Sequence, residues 1–237
     1  MSVTDDSPLL LHGTIDVQGR LVDASNATLY CTVTLAGESS VCVYKPVSGE
    51  RPLWDFPTGT LAARERATFL VSRAGGWDLV PPTVLRDGPF GPGMVQLWVD
   101  VDETVDLVAL VRSRHPDLRQ MAVLDAVTNN ADRKGGHLLP TPQRRVLGID
   151  HGVTFAVEDK LRTLLWQWAD EPLDDASVEA LSRLEKGLDA GALAVSLLGL
   201  LTKQEVSATR RRVQTMLDTG RHPQPPTDWP AIPWPPF

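Results

Sequence analysis

The chain has 237 residues, 42% of them hydrophobic and 22% charged, with a formal net charge of −7 at pH 7. That length allows one large domain or two small lobes around a substantial core, and the acidic balance argues against a nucleic-acid backbone as partner. The best apolar run, Ala190 to Leu201, is too short for a bilayer span, and the N-terminus lacks the basic head and apolar core of a signal peptide. No integral membrane segment and a cytoplasmic location are therefore expected.

From Leu10 to Val47 the pattern is β, in three runs divided by turn material at DASN and AGESS, the last two forming a hairpin around Gly37. Cys31 and Cys42, the only cysteines, fall in these runs; buried free thiols are the expectation, with a cross-strand disulfide as the alternative. A Pro/Gly/Trp-rich connection follows, then helical spacing from Leu61 to Ala74, then strands in VPPTVLRDG and MVQLWVDV. The first hundred residues thus read as a small sheet with one helix packed on it.

After Asp100 the character changes. Helical spacing runs from Leu107 to Arg114 and from Leu118 to Val127, followed by the loop DAVTNNADRKGGH, a strand pair around LLP and VLGID, and helices to about Leu217. Leu164, Leu165, Trp166 and Trp168 are expected in a core helix. The last seventeen residues hold seven prolines, which exclude regular helix or central strand. They read as a docked extended tail anchored by Trp229, Trp234 and Phe237, or as a peptide for a proline-reading module. The division is a β-rich lobe over 1–99, a helical lobe over 100–220 and a tail over 221–237: an α+β, two-lobed arrangement.

Phosphoryl transfer needs positive charge on phosphates, a metal held by oxygens, and a carboxylate near the attacking hydroxyl. Lys45 ends a strand and is the only lysine before Lys134; a compact ammonium there suits phosphate across a cleft. Glu65 on the next helix can pair with it. Gln96, Leu97, Trp98 and Val99 form an extended run whose backbone can meet an adenine edge. Asp132 can orient or deprotonate a hydroxyl, and Asp150 can bind Mg²⁺. Singly, each has an ordinary reading as a solvated side chain or a local turn. Their order along the chain carries the argument.

The stretches DASNATLYCTV, VCVYKP, RERATFLV with LVPPT, GMVQLWV, DAVTNNADR and GIDHGVTF resemble the phosphatidylinositol 3-/4-kinase superfamily, in particular the type II phosphatidylinositol 4-kinases and an actinobacterial branch grouped with them. The resemblance spans roughly 21–155 and implies a protein-kinase-like fold that uses ATP with Mg or Mn. It makes Lys45 the phosphate lysine, Glu65 its helix partner, 96–99 the hinge, Asp132 the catalytic-loop aspartate and Asp150 the metal aspartate. It implies structural hydrogen bonding for Asp125 and Asn130.

Two departures stand out. A glycine-rich phosphate loop is replaced by Ala24-Ser25-Asn26-Ala27-Thr28, where alanine restricts close backbone approach although Ser25, Asn26 and Thr28 can donate to phosphate. His137 stands where the family places a metal-binding asparagine; imidazole is a poor Mg²⁺ ligand and a better one for transition metals. Arg133 and Lys134 offer compensating charge near the leaving group. The expected activity is transfer of the ATP γ-phosphate to a hydroxyl of a protein or small molecule, favoured over a phosphoinositide because no basic amphipathic helix marks a membrane surface. A nucleotide-binding pseudokinase and an AMP transferase are the alternatives.

Overall fold

A computed structural model describes residues 7–21, 26–189 and 191–237. Five antiparallel strands form the N-terminal sheet: β1 Thr14–Arg20, β2 Leu29–Leu35, β3 Glu38–Pro46, β4 Thr83–Gly88 and β5 Gly91–Leu97, in the order β1-β2-β3-β5-β4. Strand alternation divides β3 between two environments. Cys42 and Tyr44 are fully buried in a small core with Leu10, Val33 and Val95, which leaves Val43 and Lys45 for the opposite face. Cys31 sits directly across from Cys42, and both are free thiols.

The stretch Leu10–His12 departs from the expected strand. It belongs to a short helix, α1 Pro8–His12, started by proline and by the Ser7 hydroxyl, which accepts from Leu10 N–H at 3.4 Å. Proline at the first turn and a serine cap favour that helical start.

Helix α2 spans Leu61–Gly75. Its first N–H groups, on Leu61 and Ala62, are taken by the Glu50 carboxylate at 3.2 and 2.9 Å, an anion where the helix dipole favours one. Its far end stops at Gly76 in the left-handed conformation (φ 73°), which glycine adopts without strain. This helix is more than a cover for the sheet. Ala67, Phe69, Leu70 and Val71 belong to the main core together with the C-terminal helices, and Arg183 donates to Gly75 O at 2.7 Å.

The helical part comprises α3 Leu107–Arg112, α4 Pro116–Thr128, α5 Asp175–Asp189, α6 Ala192–Leu198 and α7 Lys203–Thr219, with a two-stranded ribbon of β6 Leu138–Pro140 and β7 Val146–Gly148. The fold is α+β, an antiparallel-sheet lobe joined to a helical lobe. Leu164–Trp168 forms no helix. Trp168 and Leu165 are buried as expected, but the Leu165 N–H is held by the Thr163 hydroxyl at 3.1 Å and Thr163 N–H by Ala231 O at 3.0 Å. Those contacts occupy the backbone groups that a helix would need.

Residues 221–237 are extended. Ala231 O also accepts from the Trp166 indole at 2.9 Å, and Pro236 O accepts from Gly135 N–H at 2.8 Å. Trp229 packs beside the Arg162 guanidinium, 5.4 Å from its ring centre, and the Phe237 ring lies against Gly135. Trp234, expected as an anchor, is 88% exposed and does not anchor the tail.

Candidate active site

The site forms where the open face of β3 meets the β6–β7 ribbon. Lys45 extends from β3 until its Nζ lies 2.7 Å from Glu65 Oε1 and 2.9 Å from Asp150 Oδ1. Lys45 and Asp150, 105 positions apart, are thereby brought together. Burial alone would lower the Lys45 pKa; the Asp150 and Glu65 carboxylates outweigh it and hold the amine above the ordinary lysine range. The Lys45 charge, against a smaller opposing effect of burial, keeps the Asp150 carboxyl well below its usual value. Asp150 is 47% exposed, so solvent screens part of this attraction. Both groups are charged at neutral pH.

Beside this pair lies a cavity of about 230 Å³, lined by Asn26, Thr28, Lys45, Gln96, Leu97, Trp98, Val99, His137 and Asp150 with apolar walls from Leu21, Val43, Val101, Leu139 and Ile149. A largely apolar slot with charge at one end suits a ligand with a flat apolar part and an anionic tail. Tyr30 meets the Trp98 ring edge-on, with centroids 5.0 Å apart, which fixes one wall.

Residues 96–99, expected as the hinge, differ in their hydrogen bonding. The buried Gln96 side chain donates to the Thr83 hydroxyl at 2.8 Å. Leu97 N–H is given to Pro82 O at 2.9 Å and Trp98 N–H to Val41 O at 3.1 Å. Among the described residues, Val99 N–H has no acceptor, so of the four it alone keeps a free backbone donor at the cavity. Asn26 accepts from Arg51 N–H at 2.8 Å through its Oδ1. Ser25 and Ala24 lie outside the described residues.

Asp132 follows α4 on a loop pinned by its own neighbours. Its N–H donates to Asn130 Oδ1 at 3.0 Å, and the Asn130 amide donates to Asp125 Oδ1 at 2.9 Å. Ala131 N–H reaches Val153 O at 3.0 Å, tying the loop to the segment after Asp150. The Asn129 amide holds that same segment, donating to Ala156 O at 3.0 Å and Glu158 O at 2.7 Å. The Asp132 carboxylate is partly exposed and pairs with Lys134 at 3.1 Å. Asp132 does not line the cavity.

Arg133 corrects an expectation. It faces no leaving group and is fully buried, with Asp125 as its salt-bridge partner at 2.9 Å. It also donates to Ile149 O at 3.0 Å and contacts His151 Nε2 at 2.6 Å. A guanidinium with several donors in a fixed fork can satisfy all of these at once. Its neighbour Lys134 is the cation that stays near Asp132.

His137 does face Asp150, with Nε2 3.4 Å from Oδ2. Burial pulls its pKa down, while Asp150 and, more weakly, Asp132 push the other way against the Arg133 and Lys134 charges. Lys134 N–H donates to its Nδ1 at 3.4 Å, which places the ring proton on Nε2, toward Asp150. In this arrangement His137 presents a donor where a metal needs a lone pair. Among the described residues there is no group of three or more His, Cys, Asp or Glu side chains arranged to hold a metal. Asp150, ionised and half-exposed, fits a hard divalent cation that shares its remaining positions with phosphate and water.

Sequence reasoning missed His151 and Thr163, both buried and joined to the Arg133–Asp125 pair, and also the apolar walls. Val43 was detectable, two residues before Lys45 on the same strand face. His151 and Thr163 carry no local signal.

Protein Rv2133c of Mycobacterium tuberculosis is 46% identical over 268 aligned positions, covering 98% of this chain and 96% of that protein. The chain belongs to the family of Rv2133c. No family profile matches the sequence. The crystal structure of a Helicobacter pylori proinflammatory kinase, CtkA, superposes with a TM-score of 0.55 at 11% identity, covering 89% of this chain and 95% of that one. That likeness shows a kinase-like fold for this chain.

Proposed function

We propose that this chain is an ATP-dependent phosphotransferase of the phosphatidylinositol 3-/4-kinase-like type, acting on a hydroxyl of a protein or small molecule. The observation that carries the reading is the convergence of Lys45, Glu65 and Asp150 at the charged end of an apolar slot. In this reading the adenine lies between Val43, Leu97, Leu139 and Ile149 and accepts from Val99 N–H. The Lys45 ammonium, held extended by Glu65, meets the phosphates. A Mg²⁺ or Mn²⁺ ion held by Asp150 would neutralise phosphate charge. The acceptor oxygen attacks the γ-phosphorus, its proton passes to the Asp132 carboxylate, and the bond to ADP breaks.

One observation favours a second reading, a nucleotide-binding module without transfer. His137 Nδ1 accepts from Lys134 N–H and its Nε2 lies 3.4 Å from Asp150 Oδ2, where a metal ligand is expected. Purified protein supplied with ATP and Mg²⁺ or Mn²⁺ decides between them. Turnover or autophosphorylation that disappears in Asp150→Ala supports the transferase. Nucleotide binding with no turnover in either metal supports the module, and absence of binding overturns both.

A further inference from the structure

His151 is fully buried beside the metal aspartate, and the chemistry described above gives it no part. Its position is nevertheless singular. Asp150 has a left-handed backbone, φ 60°, a conformation that costs a non-glycine residue energy and needs its surroundings to enforce it. Arg133 grips both sides of that residue, through Ile149 O at 3.0 Å and the His151 ring at 2.6 Å. The His151 backbone N–H donates to Glu65 Oε2 at 2.8 Å, while the other Glu65 oxygen holds Lys45.

A continuous polar chain results. It runs from Lys45 through Glu65, His151, Arg133, Asp125 and Asn130 to the N–H of Asp132. His151 is the joint between its two halves. Arg133 is always a donor, so His151 Nε2 must be the acceptor, and the single ring proton resides on Nδ1, 3.9 Å from Glu65 Oε2. A phenylalanine would fill the same space and leave the Arg133 contact unmade.

We propose that His151 is a positioning residue for phosphoryl transfer: by accepting from Arg133 with its ring and donating to Glu65 with its backbone, it sets the Asp150 backbone in register with both Lys45 and the catalytic loop. The inference rests on the phosphotransferase reading for its effect on rate, and on the hydrogen-bond geometry alone for its tautomer.

The test therefore has two arms. In the full chain with ¹⁵N-labelled histidine, His151 (assigned by its loss in His151→Gln) is expected as the neutral Nδ1–H tautomer. An Nε2–H tautomer or an imidazolium overturns the proposal. In ATP turnover, His151→Phe is expected to lower kcat on the order of 30-fold with the ATP KM within about threefold, because misplacement of reacting groups costs rate more than binding. His151→Gln, whose side-chain oxygen can accept from Arg133, is expected to recover kcat to within about fivefold of wild type. Unchanged kcat in His151→Phe, or equal losses in both variants, overturns the positioning role. A wild-type chain that turns over no ATP refutes the phosphotransferase reading instead, and the tautomer then decides the hydrogen-bond relay.

Discussion

Replacing Asp125 by Asn tests whether the loop that carries Asp132 hangs on a buried charge pair. Asp125 is 0% exposed and accepts from Arg133 Nε and Nη2, from the Asn130 amide and from the Thr163 hydroxyl, at 2.9 to 3.2 Å. Asparagine keeps the volume but removes the charge and turns an NH₂ group toward one of those donors. Arg133 stays protonated at any ordinary pH, so the variant buries an uncompensated guanidinium. Breaking a buried pair in this way costs about 3–5 kcal/mol. For a chain of this size each 1 kcal/mol shifts Tm by about 2–4 °C, so Tm should fall by roughly 6–20 °C. Thermal and urea unfolding followed by circular dichroism reads the loss, and a double-mutant cycle with Arg133→Met isolates the pair from the Asn130 bond. A loss below about 1 kcal/mol would mean that the pair behaves as a solvated surface contact, and the account of Arg133 as the loop's internal anchor would be wrong.

Two other outcomes follow from the same geometry. Burial, with Arg119 adding to it, pushes the His222 pKa down to about 4. The unfolded chain binds that proton near pH 6.5. Stability from this group is thus complete above about pH 6.5 and falls as the pH drops toward 4, by up to about 3 kcal/mol. Urea titrations at a series of pH values should show a shallower acid loss in His222→Gln, and identical slopes would refute the assignment. In Gly135→Ala the new methyl carbon would lie 2.2 Å from the Phe237 ring, so the ring has to shift. Faster hydrogen exchange over 229–237 is expected with a global stability change under about 1 kcal/mol; an unaltered tail would show that the Phe237 contact is slack.

The comparison of expectation with structure is most instructive residue by residue. The strands around Cys31, Cys42 and Lys45 were legible because a half-buried strand alternates, and the hairpin around Gly37 because glycine adopts positive φ without strain. Helix α2 was legible from its spacing, but its role was not. A single amphipathic stripe says that a helix buries one face, whereas α2 buries most of its surface between the sheet and the C-terminal helices. The tryptophan segment after Thr163 carries helix-compatible residues, and contacts to the tail and to Asp125 overrode that tendency. Arg133 beside Asp132 reads in the sequence as charge near the leaving group because sequence adjacency says nothing about which way neighbouring side chains turn.

What the amino-acid order determined by itself was the set of local shapes and the inventory of chemistry: strands where alternation repeats, helix stops at Gly76 and Gly220 where the chain turns left-handed, and a lysine, a glutamate and two aspartates in a telling order. Those are short-range consequences of backbone sterics and side-chain type. Only the tertiary structure decided that Lys45 reaches Asp150 across 105 positions, that Arg133 turns inward, that His137 lies beside Asp150, and that His151 links Glu65 to the loop after α4. The reason is physical. A buried charge or imidazole takes its role from the partners that replace water around it, and those partners arrive from segments far away in the chain.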